Sequence, residues 1–206
     1  MARKSSSGRW KQRQASDPYV RRARTEGWRS RAAFKLMEID DRERLLRRGK
    51  RVLDLGAAPG GWSQVAAGRV GLSGRVIAVD LLPMEPLEGV VVIQGDFVEP
   101  GTQEQVLTAL GGLRADLVIS DMAPNITGNR SVDQPRALAL VEAVFESADH
   151  FLEPGGAVLA KVFQGEGFEA LVAAARRDFG SVRIRKPASS RAESREMYLV
   201  AGNYRL

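Results

Sequence analysis

Three aspartates follow short apolar runs: Asp80 after RVIAV, Asp96 just past VVVIQ, and Asp121 after ADLVIS. Runs this short, bounded by turn residues, read as buried strands. The carboxylates therefore collect at strand carboxyl ends, where open α/β sheets bind ligands. Carboxylates so close repel unless a cation or a set of donors compensates. An earlier apolar run, Val52 to Leu55, is interrupted only by Asp54 and breaks into Gly56-Ala-Ala-Pro-Gly-Gly61. Apolar residues then recur at helical spacing (Trp62, Val65, Ala66, Val70). Strand, glycine turn and helix make a crevice in which backbone can approach a ligand closely.

The turn has no Gly-Lys-Ser/Thr for a nucleoside triphosphate, and Pro59 with the wrong glycine spacing argues against a dinucleotide pyrophosphate. An acidic strand entering such a turn suits a cationic amino-acid cofactor, for which S-adenosylmethionine is the common choice. The plain alternative is a tight turn without a ligand. Asp80 stands where an acid accepts from ribose hydroxyls. Asp96, one strand further out, is placed for an adenine amino group. Magnesium on the carboxylates is the alternative to a sulfonium, and it requires substrate phosphates.

The acceptor is read from what is present and what is missing. With no cysteine in the chain there is no thiolate for attack on a pyrimidine carbon, and the Asp121-Met-Ala-Pro124 loop lacks the aromatic that stacks a flipped base. Asp121, Lys161, Lys35 and Glu196 remain, and two lysines with two acids suit a hydroxyl acceptor. Neighbouring carboxylates raise a lysine pKa, whereas burial, a second lysine and a sulfonium lower it. Lys161, which interrupts the apolar run AVLAKVF, reads either as a proton acceptor or as a strand-end partner of Asp121. Lys35, on a predicted helix, reads in isolation as a surface residue.

The elements that must position these groups alternate. A helix is expected from an N-cap at Ser30 to about Arg47. Strands follow at 52–55, 75–80, 90–94, 115–120 and 157–163, then 182–186 and 196–201. Helices are expected at 62–70, 102–110, 134–152 and 168–179, the third stopped by Pro154-Gly-Gly156. The polar loop 126–133 is of a kind that closes over substrate. The two terminal strands predict one antiparallel edge strand inserted into an otherwise parallel sheet. The fold class is α/β: a Rossmann-like, seven-stranded, mostly parallel sheet with helices on both faces. There is no internal repeat.

The chain has 206 residues and a net charge of +6, but residues 1–35 hold 11 Lys/Arg against 2 Asp/Glu. The basicity belongs to this segment, and such a block neutralises phosphates or stays a solvated, disordered tail. It has too few large apolar residues for a membrane-surface helix. Residues 1–16 are expected to be disordered, and 17–27 to form a short helix. Trp10, Tyr19 and Trp28 either stack on unpaired bases or pin the segment to the domain. His150, the single histidine, is expected at the surface. No apolar run is long enough to span a membrane and no signal core begins the chain, so a cytoplasmic protein is expected.

The stretches SRAAFKL (30–36), DLGAAPGGWSQ (54–64), DLLPM (80–84), QGDF (94–97), SDMAPN (120–125), KVFQGEGF (161–168) and RKPASSRAESRE (185–196) resemble the FtsJ/RrmJ (RlmE) family of bacterial ribosomal RNA ribose methyltransferases. The resemblance implies a Rossmann-like methyltransferase using S-adenosylmethionine. It implies transfer to a uridine 2′-hydroxyl in 23S RNA of the large ribosomal subunit. The family's catalytic tetrad falls on Lys35, Asp121, Lys161 and Glu196, and its cofactor contacts fall on Gly60, Trp62, Asp80, Asp96 and Asp121. Expected with it are a basic RNA-contacting arm over 1–29, a methyltransferase domain over 30–206, no metal, and a monomer. Arginines and lysines of 3–35 and 185–195 would hold phosphates. A transfer-RNA methyltransferase and a catalytically silent assembly factor are the alternative readings.

Overall fold

The computed structural model describes residues 17–125, 127–191 and 193–205. Two helices, α1 (Pro18–Thr25) and α2 (Ala32–Glu43), precede the sheet. Then come β1 (Arg51–Leu55), α3 (Gly61–Val70), β2 (Arg75–Asp80), β3 (Val90–Gln94), α4 (Pro100–Ala109) and β4 (Ala115–Ser120). The chain continues through α5 (Arg130–Glu146), α6 (Ala148–Phe151), β5 (Leu152–Phe163), α7 (Phe168–Asp178), β6 (Phe179–Arg185) and β7 (Glu196–Tyr204). The strand order is β3-β2-β1-β4-β5-β7-β6. β7 runs antiparallel to both β5 and β6, so the antiparallel strand lies inside the sheet and β6 forms the edge.

Alternation along the strands sorts the core into two layers. Leu53, Leu55, Ile77, Val79, Val118, Val158 and Ala160 pack against α4, α5, α6 and α7. Val52, Val76, Leu117, Ile119, Leu159, Tyr198 and Val200 pack against α2 and α3. Because side chains alternate with a period of two, Asp54, Asp121, Lys161 and Glu196 share the α2/α3 face with Val52, Ile119, Leu159 and Tyr198. Burial of branched side chains on both faces contributes roughly 1.5–3 kcal/mol each and holds this register.

Several boundaries differ from the sequence reading, each for a local reason. Arg31, not Ser30, is the cap residue of α2, with no side-chain capping bond, and α2 ends at Glu43 because Arg44 turns left-handed (φ 52°). Asp40 then takes the Leu46 amide at 2.7 Å. Helix α5 starts inside the expected loop because Asn129 caps it through the Ser131 amide at 3.1 Å. Ser147 ends α5, its hydroxyl turned back to the Val144 carbonyl at 2.7 Å. Pro154-Gly155-Gly156 does not stop a helix. It lies within β5, at the register shift where Ala115 opposes Leu152 but Leu117 opposes Ala157. Phe179 begins β6 instead of closing a helix, because it pairs with Tyr204 across the sheet. His150 is exposed on α6.

Candidate active site

The glycine turn leaves β1 at Gly56 (φ 72°), where a Cβ would overlap the Met122 side chain. It enters α3 at Gly60 (φ 104°) with no side-chain cap. Two chambers open beside it. The larger, about 490 Å³, is lined by Gly56, Asp80, Leu82, Asp96, Phe97 and Asp121 among others. The smaller, about 160 Å³, reaches Asp54, Gly61 and Trp62. Gly56, Ala58 and Asp121 border both, so the two form one continuous crevice.

Asp80 accepts from the Ala58 amide at 2.9 Å and the Leu82 amide at 2.8 Å. Asp96 accepts from the Val98 amide at 3.1 Å. Gly60 is outside the lining of both chambers; a Cβ there would press on Arg29 and Met84 at 3.1 Å. The Trp62 ring is buried against Tyr198, with ring centroids 5.7 Å apart, and its Nε1 donates to the Ala32 carbonyl at 2.8 Å. The ring is thus packing, and only the backbone of Trp62 at the start of α3 can face a ligand.

Asp54, 1% exposed, accepts from Ser63 Oγ at 2.6 Å. Burial, with added repulsion from Asp121 and Asp80, pushes its carboxyl up to about 7 against the relief of the Ser63 bond. Asp54, Asp80 and Asp96 thus have main-chain and hydroxyl donors but, among the described residues, no cationic partner, a donor set that fits a positively charged ligand. Among the described residues no three His, Asp or Glu side chains converge as a metal site.

The other side of Asp121 is arranged differently. Lys161 Nζ donates to the Asp121 carbonyl at 2.6 Å and stands 3.2 Å from Asp121 Oδ1. Lys35 Nζ meets Glu196 Oε1 at 2.6 Å. Lys35 is 7% exposed, so its reading as a surface residue is overturned: α2 lies on the sheet and turns this lysine inward. Burial opposes ionisation of Glu196, but Lys35, Ser190 and Lys161 outweigh it and hold the carboxyl below its usual range. The structure therefore brings Lys35, Asp121, Lys161 and Glu196 together as two ion pairs, although strand-end pairing of Lys161 with Asp121 also holds.

Tyr198 was missed in the sequence. Its hydroxyl donates to Asp121 Oδ1 at 2.6 Å, and burial followed by the Asp121 charge pushes its ionisation well above the usual tyrosine value. Its signal was period two: it stands two residues after Glu196 and opposite Lys161.

Among the described residues, several side chains of the basic segments are tied into the fold. Tyr19 packs on Phe34 at 5.6 Å and Trp28 joins the α2/α3 core layer, so both pin the segment. Trp10 lies outside the described residues. Arg29 donates to the Pro59, Glu85 and Pro86 carbonyls at 3.2, 2.7 and 2.6 Å. Asp17 accepts from Arg31 and Arg191, and Arg185 pairs with Glu43 at 2.5 Å. Arg21 and Arg24 on α1 are exposed.

The FtsJ-like methyltransferase family matches residues 28–204. The chain belongs to that family. It is 52% identical, over the full length of both chains, to ribosomal RNA large subunit methyltransferase E of Marinobacter nauticus. A solved Plasmodium falciparum protein described as a ribosomal RNA methyltransferase is 29% identical, with a TM-score of 0.78 over 86% of this chain and 98% of that one. Fibrillarin of Aeropyrum pernix, solved with S-adenosyl-L-methionine, is 18% identical with a TM-score of 0.56 over 82% of this chain and 73% of that one, a likeness of fold alone. No described helix is long and apolar enough to cross a membrane.

Proposed function

We propose that this protein transfers a methyl group from S-adenosylmethionine to the 2′-hydroxyl of a uridine in 23S RNA of the large ribosomal subunit. It acts as a cytoplasmic monomer, with 1–29 as an RNA-contacting arm and 30–206 as the methyltransferase domain. The observation that carries the reading is the double position of Asp121, which borders the crevice and also pairs with Lys161. When bound, the cofactor supplies an electrophilic methyl on a sulfonium. Asp80 takes the ribose hydroxyls, Asp96 the adenine amino group, and the backbone at Gly60 and Trp62 the methionine end.

The acceptor side then needs a group to take one proton. To take it, Lys161 must first release one of its own ammonium protons to solvent; the amine so formed has two N–H bonds and a lone pair. Asp121 offers an acceptor for each N–H, its carbonyl and its Oδ1, so the lone pair is left to face the ribose hydroxyl. Asp121, fixed by Tyr198, sets the direction of that lone pair. Lys35, held by Glu196, supplies positive charge beside the acceptor oxygen. Proton acceptance of this kind contributes roughly 10²–10⁴-fold, and alignment of oxygen, methyl and sulfur contributes at least as much.

The test uses radiolabelled cofactor and large subunits lacking the modification. A methylated ribose cannot attack the adjacent phosphate, so label is expected in an alkali-resistant dinucleotide containing uridine. Label in an alkali-sensitive nucleotide indicates base methylation and refutes the proposal.

A further inference from the structure

The Glu196 oxygen that meets Lys35 has a second donor. Ser190 Oγ donates to Glu196 Oε1 at 2.8 Å, from the segment between β6 and β7. Ser190 is buried, and nothing in the sequence motif distinguishes it from its neighbours. Its segment is fastened on both sides. The Ser189 amide donates to Glu38 Oε1 at 3.1 Å, one turn beyond Lys35 on α2. The Ser189 carbonyl accepts from Arg31. Arg191 Nη2 donates to Asp17 Oδ2 at 3.2 Å, and Arg31 reaches the same oxygen.

Asp17 is a joint between distant parts. Its Oδ1 caps α1 through the Tyr19 amide at 3.0 Å, and its Oδ2 holds Arg31 and Arg191. Burial opposes its ionisation, but Arg31 and Arg191 hold the carboxyl below its usual range, so it is charged near neutral pH. An unbroken series of bonds thus leads from the base of the arm to the acid beside Lys35. Among the described residues, the buried side-chain polar atoms without a partner, Arg31 Nε and Ser189 Oγ, both lie at this joint.

We infer that Ser190 is a positioning residue for Glu196, and that Asp17 holds in register the segment that carries it. The inference rests on the reading of Lys35 and Glu196 as part of the acceptor site. A carboxylate fixed at one oxygen by a hydroxyl and an ammonium has one rotamer available, and the ammonium is fixed in turn. Without the hydroxyl, the carboxylate swings and Lys35 moves off the acceptor oxygen. Asp17 acts one step earlier, through Arg31 and Arg191, on the place of the loop.

The experiment compares full-length Ser190→Ala, Ser190→Thr, Asp17→Asn and Glu196→Gln in methyl transfer to large subunits from pH 5 to 9. Groups facing Glu196 are Lys35 from α2, Lys161 from β5 and Tyr198 on its own strand, and all remain in the first three variants. Ser190→Ala is expected to lower kcat about tenfold, to leave both KM values within about twofold, and to move the acid limb of the pH profile upward. Ser190→Thr restores kcat and the limb, which general loosening of the loop does not predict. Asp17→Asn lowers kcat about threefold with cofactor affinity unchanged. A Ser190→Ala enzyme with the parent kcat and acid limb, while Glu196→Gln is impaired, overturns the inference and leaves the site reading intact. An unimpaired Glu196→Gln enzyme overturns the site reading itself.

Discussion

The crevice and the pairs of charges beyond Asp121 handle charge in opposite ways. On the β1–β3 side, Asp54, Asp80 and Asp96 receive main-chain amides and one serine hydroxyl. On the β4–β5–β7 side, Asp121 and Glu196 each have a lysine. The first is left anionic, and the sulfonium of the proposed cofactor would balance it. The second is neutral within itself and its geometry is set before any substrate arrives. Preorganised charge of this kind costs no rearrangement at the moment of reaction. Asp121 stands at the seam, shared by both chambers.

If this division is real, the two sides should fail separately. Lys161→Ala is expected to lower methyl transfer by roughly 10²–10⁴-fold, with cofactor affinity by calorimetry within about twofold of the parent. A parallel loss of affinity would break the distinction.

The cofactor side offers a pH test. Burial takes the Asp54 carboxyl from its ordinary value of 3.8 to about 7 on folding, a change worth roughly 4 kcal/mol. The folded state thus keeps a proton that the unfolded chain loses. The stability tied to this proton is whole below about pH 4, falls as pH rises, and is gone above about pH 7. Asp54→Asn removes that slope. Urea denaturation without cofactor should show the variant equal to the parent at pH 4 and more stable at pH 8. A constant difference across that range would show that burying this carboxyl is not a burden on the fold.

Asp80→Ala removes the acceptor for the Ala58 and Leu82 amides, and hydrogen bonds to charged groups contribute about 1.5–3 kcal/mol each. Cofactor affinity should fall about 10–100-fold with kcat at saturation retained. The smallest effect expected is at Arg29, which ties the arm to the loop after Asp80 through three carbonyls. Arg29→Ala should weaken cofactor binding about threefold to tenfold, an effect of about 1 kcal/mol. A loss of RNA affinity alone, read by filter binding, would return this arginine to the phosphate contacts expected of the basic segment.

The strands and the glycine turn were legible because each is a local matter: short branched runs, Gly56 and Gly60 where positive φ is needed, and an acid after each run. The ends of α2 and α5 were less so. Arg44 in a left-handed turn and the Asn129 cap are settled by contacts such as Asp40 with the Leu46 amide, which no periodicity reveals. Pro154-Gly-Gly156 misled because those residues stop helices and also bulge strands.

Short apolar runs and the glycine turn determined the α/β sheet, and the resemblance to the FtsJ/RrmJ family implied a methyltransferase with Lys35, Asp121, Lys161 and Glu196 as candidates. The register of β4, β5 and β7 put three of the four on one face. Folding decided which lysine meets which acid, that Tyr198 fixes Asp121, that the Trp62 ring is packing, that Arg29 is engaged with main-chain carbonyls, and that Arg31 and Arg191 meet at Asp17. Those outcomes depend on the packing of α2 on the sheet and on a loop that returns to the arm across more than 150 residues of chain. Spacing along a sequence carries the preferences of neighbours; pairing between distant charges is chosen only when burial removes water as the competing partner.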